Sequence, residues 1–273
     1  MYTEWYCTEY FSQYAPFKDW VTGEMVSLTN VFDAWMLLVN LSQKRDAEVT
    51  ATFFYEDEPP KDCSFVLPAG QQGRVHMQGE VDNLGTDNLP PGCNPRKRFG
   101  VRVRSTAPIL VQATVGDRLA HERVTNSMST FFYHPGPLGE LEKQWYYVDC
   151  VYITGDWPLE EREWLTILNP NPVDAHCTVT FIPGGDVSIG EAKARPRGGE
   201  KVEYRLTVPA ERIKPTDLAD WPLVKPNQPY AVRVRSDVPI TVQGIRHIFE
   251  RGQYEFSRAW AVLDARPVRD VEE

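Results

Sequence analysis

The chain has 273 residues, 42% hydrophobic and 25% charged, a balance that excludes wholesale disorder and a helical membrane protein. It is long enough to bury one large core or two ordinary ones. A net charge of -9 repels a phosphate backbone, so nucleic acid is not expected as a partner.

Met1-Tyr-Thr-Glu-Trp-Tyr-Cys7 has neither the basic flank nor the apolar run of a signal peptide, and no apolar stretch approaches the roughly 18 residues of a membrane span. A cytoplasmic protein without membrane insertion is expected. Cys7, Cys63, Cys93, Cys150 and Cys177 are odd in number and show no C-x-x-C spacing. They read as reduced thiols, most of them buried.

After Glu4-Trp5-Tyr6 come Leu38-Val-Asn40, Asp46-Ala47 and Val49-Thr-Ala-Thr-Phe53. The period-two alternation of the last block predicts a strand with its apolar side chains on one face and its threonines on the other. Leu67-Pro-Ala69 follows, then a turn-rich loop from Asn83 to Lys97. Val101-Arg-Val-Arg104 alternates again, and Pro108 implies a bulge, a break or an edge before the next apolar run. His134-Pro-Gly-Pro-Leu-Gly139 is a linker by composition.

The series then restarts. Gln144-Trp145-Tyr146 resembles Glu4-Trp5-Tyr6, Ile167-Leu-Asn169 matches Leu38-Val-Asn40, and Asp174-Ala175 through Phe181 matches Asp46-Ala47 through Phe53. Val208-Pro-Ala210 lies over Leu67-Pro-Ala69, and Ala231 to Gln243 lies over Gly100 to Gln112 with nine identities in thirteen positions. Pro239 stands where Pro108 does, the second copy is longer between Gly184 and Glu200, and Thr216 to Asp220 suggests a short helical turn. The expected fold is all-β: two tandem antiparallel β-sandwich (jelly-roll-like) domains, residues 1–135 and 140–265, ending in a polar frayed tail, 266–273.

In the second copy Ile167-Leu-Asn169, Asp174-Ala-His176, Tyr204-Arg-Leu-Thr-Val-Pro-Ala210, Tyr230-Ala231 and Ser236-Asp-Val-Pro-Ile-Thr-Val-Gln243, followed by Arg246, resemble the sensory rhodopsin transducer family. The resemblance covers most of Gln144 to Leu263 and recurs more weakly from Trp5 to about Tyr133. It implies a compact antiparallel sandwich, homo-oligomeric assembly, and a role in relaying a signal or binding a small, sugar-like ligand. The His-Thr-Arg-Leu-Asp string that the family carries after the Val-Gln pair reads Gly244-Ile-Arg246-His-Ile248 in one copy and Ala113-Thr-Val-Gly116 in the other, so only Arg246 carries over. The family's usual member is one domain. A fused pair lets the copies diverge, one keeping a site and the other supporting it.

Candidate site residues follow from chemistry. Arg102 with Arg104, and Arg233 with Arg235, share a strand face and could grip a carboxylate or phosphate; alternatively they form a solvent-face ladder satisfied by cross-strand acids. Gln112 and Gln243 could orient a sugar hydroxyl or satisfy backbone. Arg246, His247 and Glu250 are the densest polar cluster, although Arg246 and His247 share a pocket only if the strand bends. Trp5 and Trp145 are equivalent and read as packing, whereas Trp157, Trp164 and Trp221 read as particular to the second copy and suit a diverged pocket.

His76, His121, His134, His176 and His247 lack ligand spacing, and no phosphate-cradling glycine motif or nucleophile elbow occurs. No metal or cofactor is expected. The leading expectation is a module binding a small polar ligand, a sugar among the candidates, or a protein signalling partner. The alternatives are a carbohydrate-active hydrolase or isomerase with carboxylates in an inter-domain cleft, and a purely structural interaction module.

Overall fold

The computed structural model describes residues 3–10, 17–18, 25–26, 31–76, 98–118, 124–131, 141–150, 159–184, 201–221, 229–250, 253–263 and 266–267. The loops 83–97 and 185–200, the linker 134–139, Trp157, His121, His134 and Cys93 lie outside these residues. So do the side chains of His76, Cys150, His247 and Glu250. The chain divides into two compact units, Met1–Glu140 with Glu211–Ile213, and Leu141–Ala210 with Lys214–Glu273.

The N-terminal unit contains β1 (Glu4–Tyr10), β2 (Phe17–Lys18), β3 (Met25–Val26), β4 (Val31–Asn40), β5 (Ala47–Tyr55), β6 (Lys61–Leu67), β7 (Gln72–His76), β8 (Phe99–Ser105), β9 (Ile109–Arg118) and β10 (Val124–Phe131). One four-stranded sheet has the order β1-β8-β5-β6, a second β10-β9-β4-β7, and β2 and β3 pair as a ribbon. The second series of elements is β11 (Glu142–Cys150), β12 (Leu159–Asn169), β13 (Ala175–Pro183), β14 (Val202–Val208), β15 (Arg212–Asp217), a 3-10 turn (Leu218–Asp220), β16 (Tyr230–Glu250), β17 (Gln253–Leu263) and β18 (Arg266–Pro267), all in the C-terminal unit except the first two residues of β15. Here β14-β13-β16-β11-β18 form one layer, while β12 joins β15 to β16 and β17 also pairs with β16. Each strand from β11 to β17 takes the neighbours of its N-terminal counterpart, so both units are antiparallel β-sandwiches of the same design.

Alternation drives the packing. Val49, Ala51 and Phe53 of β5, and Cys177, Val179 and Phe181 of β13, are buried with Val101, Val103, Val232 and Val234 beside them. Each large apolar side chain so buried contributes about 1.5–3 kcal/mol. Thr52 and Thr180, expected on the open face, are buried too, because Arg102 and Arg233 lie over them with Nη2 at 3.4 Å from each hydroxyl.

The repeat extends to buried polar contacts. Trp5 Nε1 donates to Ile109 O at 3.1 Å and Trp145 Nε1 to Ile240 O at 3.0 Å, the packing role expected of this pair. Asn40 Nδ2 donates to Arg45 O, Leu67 O and Pro68 O at 2.8, 3.1 and 3.2 Å. Asn169 Nδ2 does the same to Val173 O, Val208 O and Pro209 O at 2.8, 3.1 and 3.1 Å. These amides satisfy carbonyls that the turns would otherwise leave unpaired.

Two elements differ between copies. β8 ends at Ser105 and β9 starts at Ile109, so Pro108 sits in a break. By contrast, β16 runs through Pro239 as one strand of 21 residues. Its partners change there: β13 pairs with it up to Ser236, and β12 from Thr241 onward. Pro239 thus marks where the strand passes from one sheet to the other. The 3-10 turn falls where a helical turn was expected.

The first two residues of the tail correct an expectation, since Arg266 and Pro267 pair with Tyr146 and Trp145 on the edge of β11 rather than fraying, while 268–273 lie outside the described residues. Joining a sheet edge uses backbone groups, which a polar composition does not preclude.

Candidate functional site

In the β12–β16 ladder Glu163 stands directly opposite Arg246. The Glu163 side chain is fully buried, and its Oε1 lies 2.8 Å from Arg246 Nε and 2.7 Å from Nη2. Tyr230 OH donates to the other carboxylate oxygen at 2.5 Å. Tyr230 and Arg246 lie near opposite ends of one strand and meet at one carboxylate because β16 changes sheets at Pro239.

An aromatic group continues from Tyr230. Its ring centroid is 5.5 Å from that of Phe181, which is 5.2 Å from Trp221 and 5.7 Å from Tyr204; Tyr204 and Trp221 are 4.5 Å apart. Phe181 and Tyr230 are buried, while Tyr204 and Trp221 are half-buried. The arrangement joins ring faces to a buried carboxylate whose guanidinium partner is 13% exposed, and rings beside paired polar groups suit a small polar ligand.

At the matching positions the N-terminal unit carries no such cluster. Its register sets Ala34 against Val115 where Glu163 meets Arg246, and Phe99 occupies the position of Tyr230 as partner to the end of β5.

Among the described candidates of the C-terminal unit, Gln243 lies off this cluster, and the side chains of His247 and Glu250 lie outside the described residues. Gln243 pairs with Thr166 and is buried; Gln112 pairs with Leu37 and is half-buried. By strand alternation both lie on the face opposite that of Arg246 and its counterpart. The β12–β16 register runs without a shift through positions 246 and 247, so the bend that would let them share a pocket is absent there. Trp164 is not particular to the second copy: it opposes Ile245 as Trp35 opposes Thr114. The repeat alignment extended three residues upstream of Leu38 and Ile167 would have shown this.

The four arginines of β8 and β16 lie on outer sheet faces. Arg104 Nε reaches Glu4 Oε1 at 2.7 Å, and Arg102 stands over the Phe54 ring at 5.4 Å. Arg233 is 3.7 Å from Glu203, and Arg235 Nε donates to Gln144 Oε1 at 2.9 Å. Burial lowers the Arg104 pKa, but the hydrogen bond and charge of Glu4 outweigh it and the net shift is upward. Burial, then the Glu4 charge, holds the Tyr6 hydroxyl far above its usual range. Burial also raises the Cys63 thiol, and pushes Cys177 up to about 11.

Sequence reasoning missed Glu163 and Tyr230. The signal was present in the repeat, where Ala34, Phe99 and Val115 become Glu163, Tyr230 and Arg246 together. Among the described residues no group of three or more His, Cys, Asp or Glu could hold a metal ion, and no helix is long and apolar enough to cross a membrane.

No family model and no curated protein matches the chain. Among solved structures, the Anabaena sensory rhodopsin transducer is 30% identical, over 38% of this chain and 95% of that one, with a TM-score of 0.29. Thermotoga maritima 1070 is 17% identical, over 48% of this chain and 93% of that one, with a TM-score of 0.34.

Proposed function

This chain belongs to the sensory rhodopsin transducer family, and from that premise we propose that it is a signal-relay module whose C-terminal domain binds a small polar ligand. The observation that carries the reading is the Glu163–Arg246–Tyr230 cluster beside the half-buried Tyr204 and Trp221 rings. A buried ion pair is costly to desolvate and adds little stability over apolar packing. The other copy manages with Ala34, Val115 and Phe99 at these positions, which supports a role other than folding. With Arg246 already neutralised by Glu163, an uncharged hydroxylated ring such as a sugar fits better than a strong anion. Such a ring stacks on Trp221 and exchanges hydrogen bonds with the polar edge.

The domains divide in this reading as residues 1–135 and 140–265, the N-terminal copy supporting the C-terminal one. The chain works in the cytoplasm as a homo-oligomer; the buried Cys177, which forms no disulfide, suits a reducing compartment.

The test is a thermal-shift screen of the full chain against neutral sugars, sugar acids and nucleotides, since a ligand held by the native state raises its melting temperature. A neutral sugar is expected to stabilise the protein and to lose that effect in Trp221→Ala while keeping it in Lys44→Ala. Equal stabilisation of both variants, or none by any compound, rejects the reading.

A further inference from the structure

We propose that the outer face of β14, β13 and the first half of β16 is a docking surface for an acidic segment of a partner protein. The inference stands independently of the ligand site, because these residues point away from the sandwich interior.

Register defines the surface. Thr178 pairs with Arg235 on one side and Arg205 on the other, and Gln144 extends the row beyond Arg235. Arg205 and Arg235 thus flank one threonine with their backbones two strand spacings apart, about 10 Å, and the Arg235 guanidinium donates to Gln144 on its far side. In the next row Thr180 lies between Arg233 and Glu203. His176 and Thr207 pair above, with His176 Nδ1 3.2 Å from the Thr207 hydroxyl. Arg205, His176 and Thr207 are exposed.

The N-terminal copy shows that this charge is not demanded by the fold. At the same sheet positions Glu4 stands for Gln144, Ser64 for Arg205, Glu48 for His176, Asp62 for Glu203 and Val66 for Thr207. Arginines common to both copies are thus surrounded by three acids, Glu4, Glu48 and Asp62, in one, and in the other by an added arginine, neutral groups and the acid Glu203, with Asp237 accepting from the His176 backbone N–H at the edge. In a chain of net charge -9 a basic face runs against composition. Two arginines beside threonine hydroxyls suit carboxylates, which accept bidentate guanidinium hydrogen bonds. The chain's overall negative charge favours a protein segment over a polynucleotide, which would meet repulsion beyond this face.

The experiment measures fluorescence anisotropy of a fluorescein-labelled oligoglutamate peptide titrated with the full chain, against a labelled single-stranded oligonucleotide. The peptide is expected to bind, to weaken as salt rises, and to lose about fivefold in affinity in Arg205→Ser. Arg45→Ser, which removes an equal charge from an exposed loop of the other unit, should leave binding unchanged. Absence of peptide binding, equal loss in both variants, or tighter binding of the oligonucleotide overturns the proposal. A melting temperature for each variant separates loss of the surface from loss of the fold.

Discussion

Glu163 and Arg246 are directly opposed across the β12–β16 ladder and form an ion pair at 2.7 Å with the carboxylate wholly buried. Removing one partner leaves the other charge in a low-dielectric site, so Glu163→Ala is expected to cost about 3–5 kcal/mol. Replacing the cluster with the residues of the other copy, Glu163→Ala with Arg246→Val and Tyr230→Phe, should recover most of that loss while abolishing any ligand-induced shift. Urea unfolding of the single and triple variants checks this. A triple variant less stable than Glu163→Ala would contradict it.

Gly70 and Glu211 occupy the same turn after Leu67-Pro-Ala69 and Val208-Pro-Ala210, and both have positive φ, 65° and 54°. Glycine adopts this conformation without a Cβ clash, whereas a glutamate is strained there by roughly 1 kcal/mol. Glu211→Gly is therefore expected to raise stability by about 0.5–1 kcal/mol. Gly70→Ala should lower it by about 1 kcal/mol, because the left-handed φ strains any side chain there while the exposed Gln43 side chain can swing away from the new Cβ. Paired thermal melts of the two variants provide the check.

Stability should be level from neutral pH to about 9 and then fall. Cys177 is held protonated by burial, with its pKa moved from 9.0 to about 11, and Tyr6 is shifted in the same direction. A raised pKa means that the native state keeps its proton where the unfolded chain gives it up. The stabilisation is complete below the unfolded value and is lost as pH climbs through the native one. The Cys177 shift corresponds to about 2–3 kcal/mol. Cys177→Ala should flatten part of the alkaline decline between pH 9 and 11 in urea titrations. A decline of unchanged slope in that variant would remove Cys177 as a cause.

Asn40 and Asn169 each hold three turn carbonyls from within the protein. Alanine at either position leaves those acceptors without their amide donor, at about 2–4 kcal/mol. Asn169→Asp should be worse still, because a buried carboxylate then faces carbonyl oxygens. Denaturant midpoints for the matched pairs test the equivalence: near-equal losses at 40 and 169 are expected, and a neutral effect at either position would count against the shared role.

Residue order alone determined the duplication, the alternating strands, the equivalence of Trp5 with Trp145 and the special status of Pro108 and Pro239. These properties are local, repeating with period two or recurring at a fixed offset, and each copy reports on the other. What only the tertiary structure decided is which polar residues meet. Glu163, Tyr230 and Arg246 are separated by long stretches of chain and converge because β16 crosses between sheets at Pro239, which joins the two ends of one strand across a core. Arg233 and Arg235 share that strand with Arg246, yet they face outward from the other sheet. Strand parity assigns a face, but only the pairing of strands says what that face looks upon.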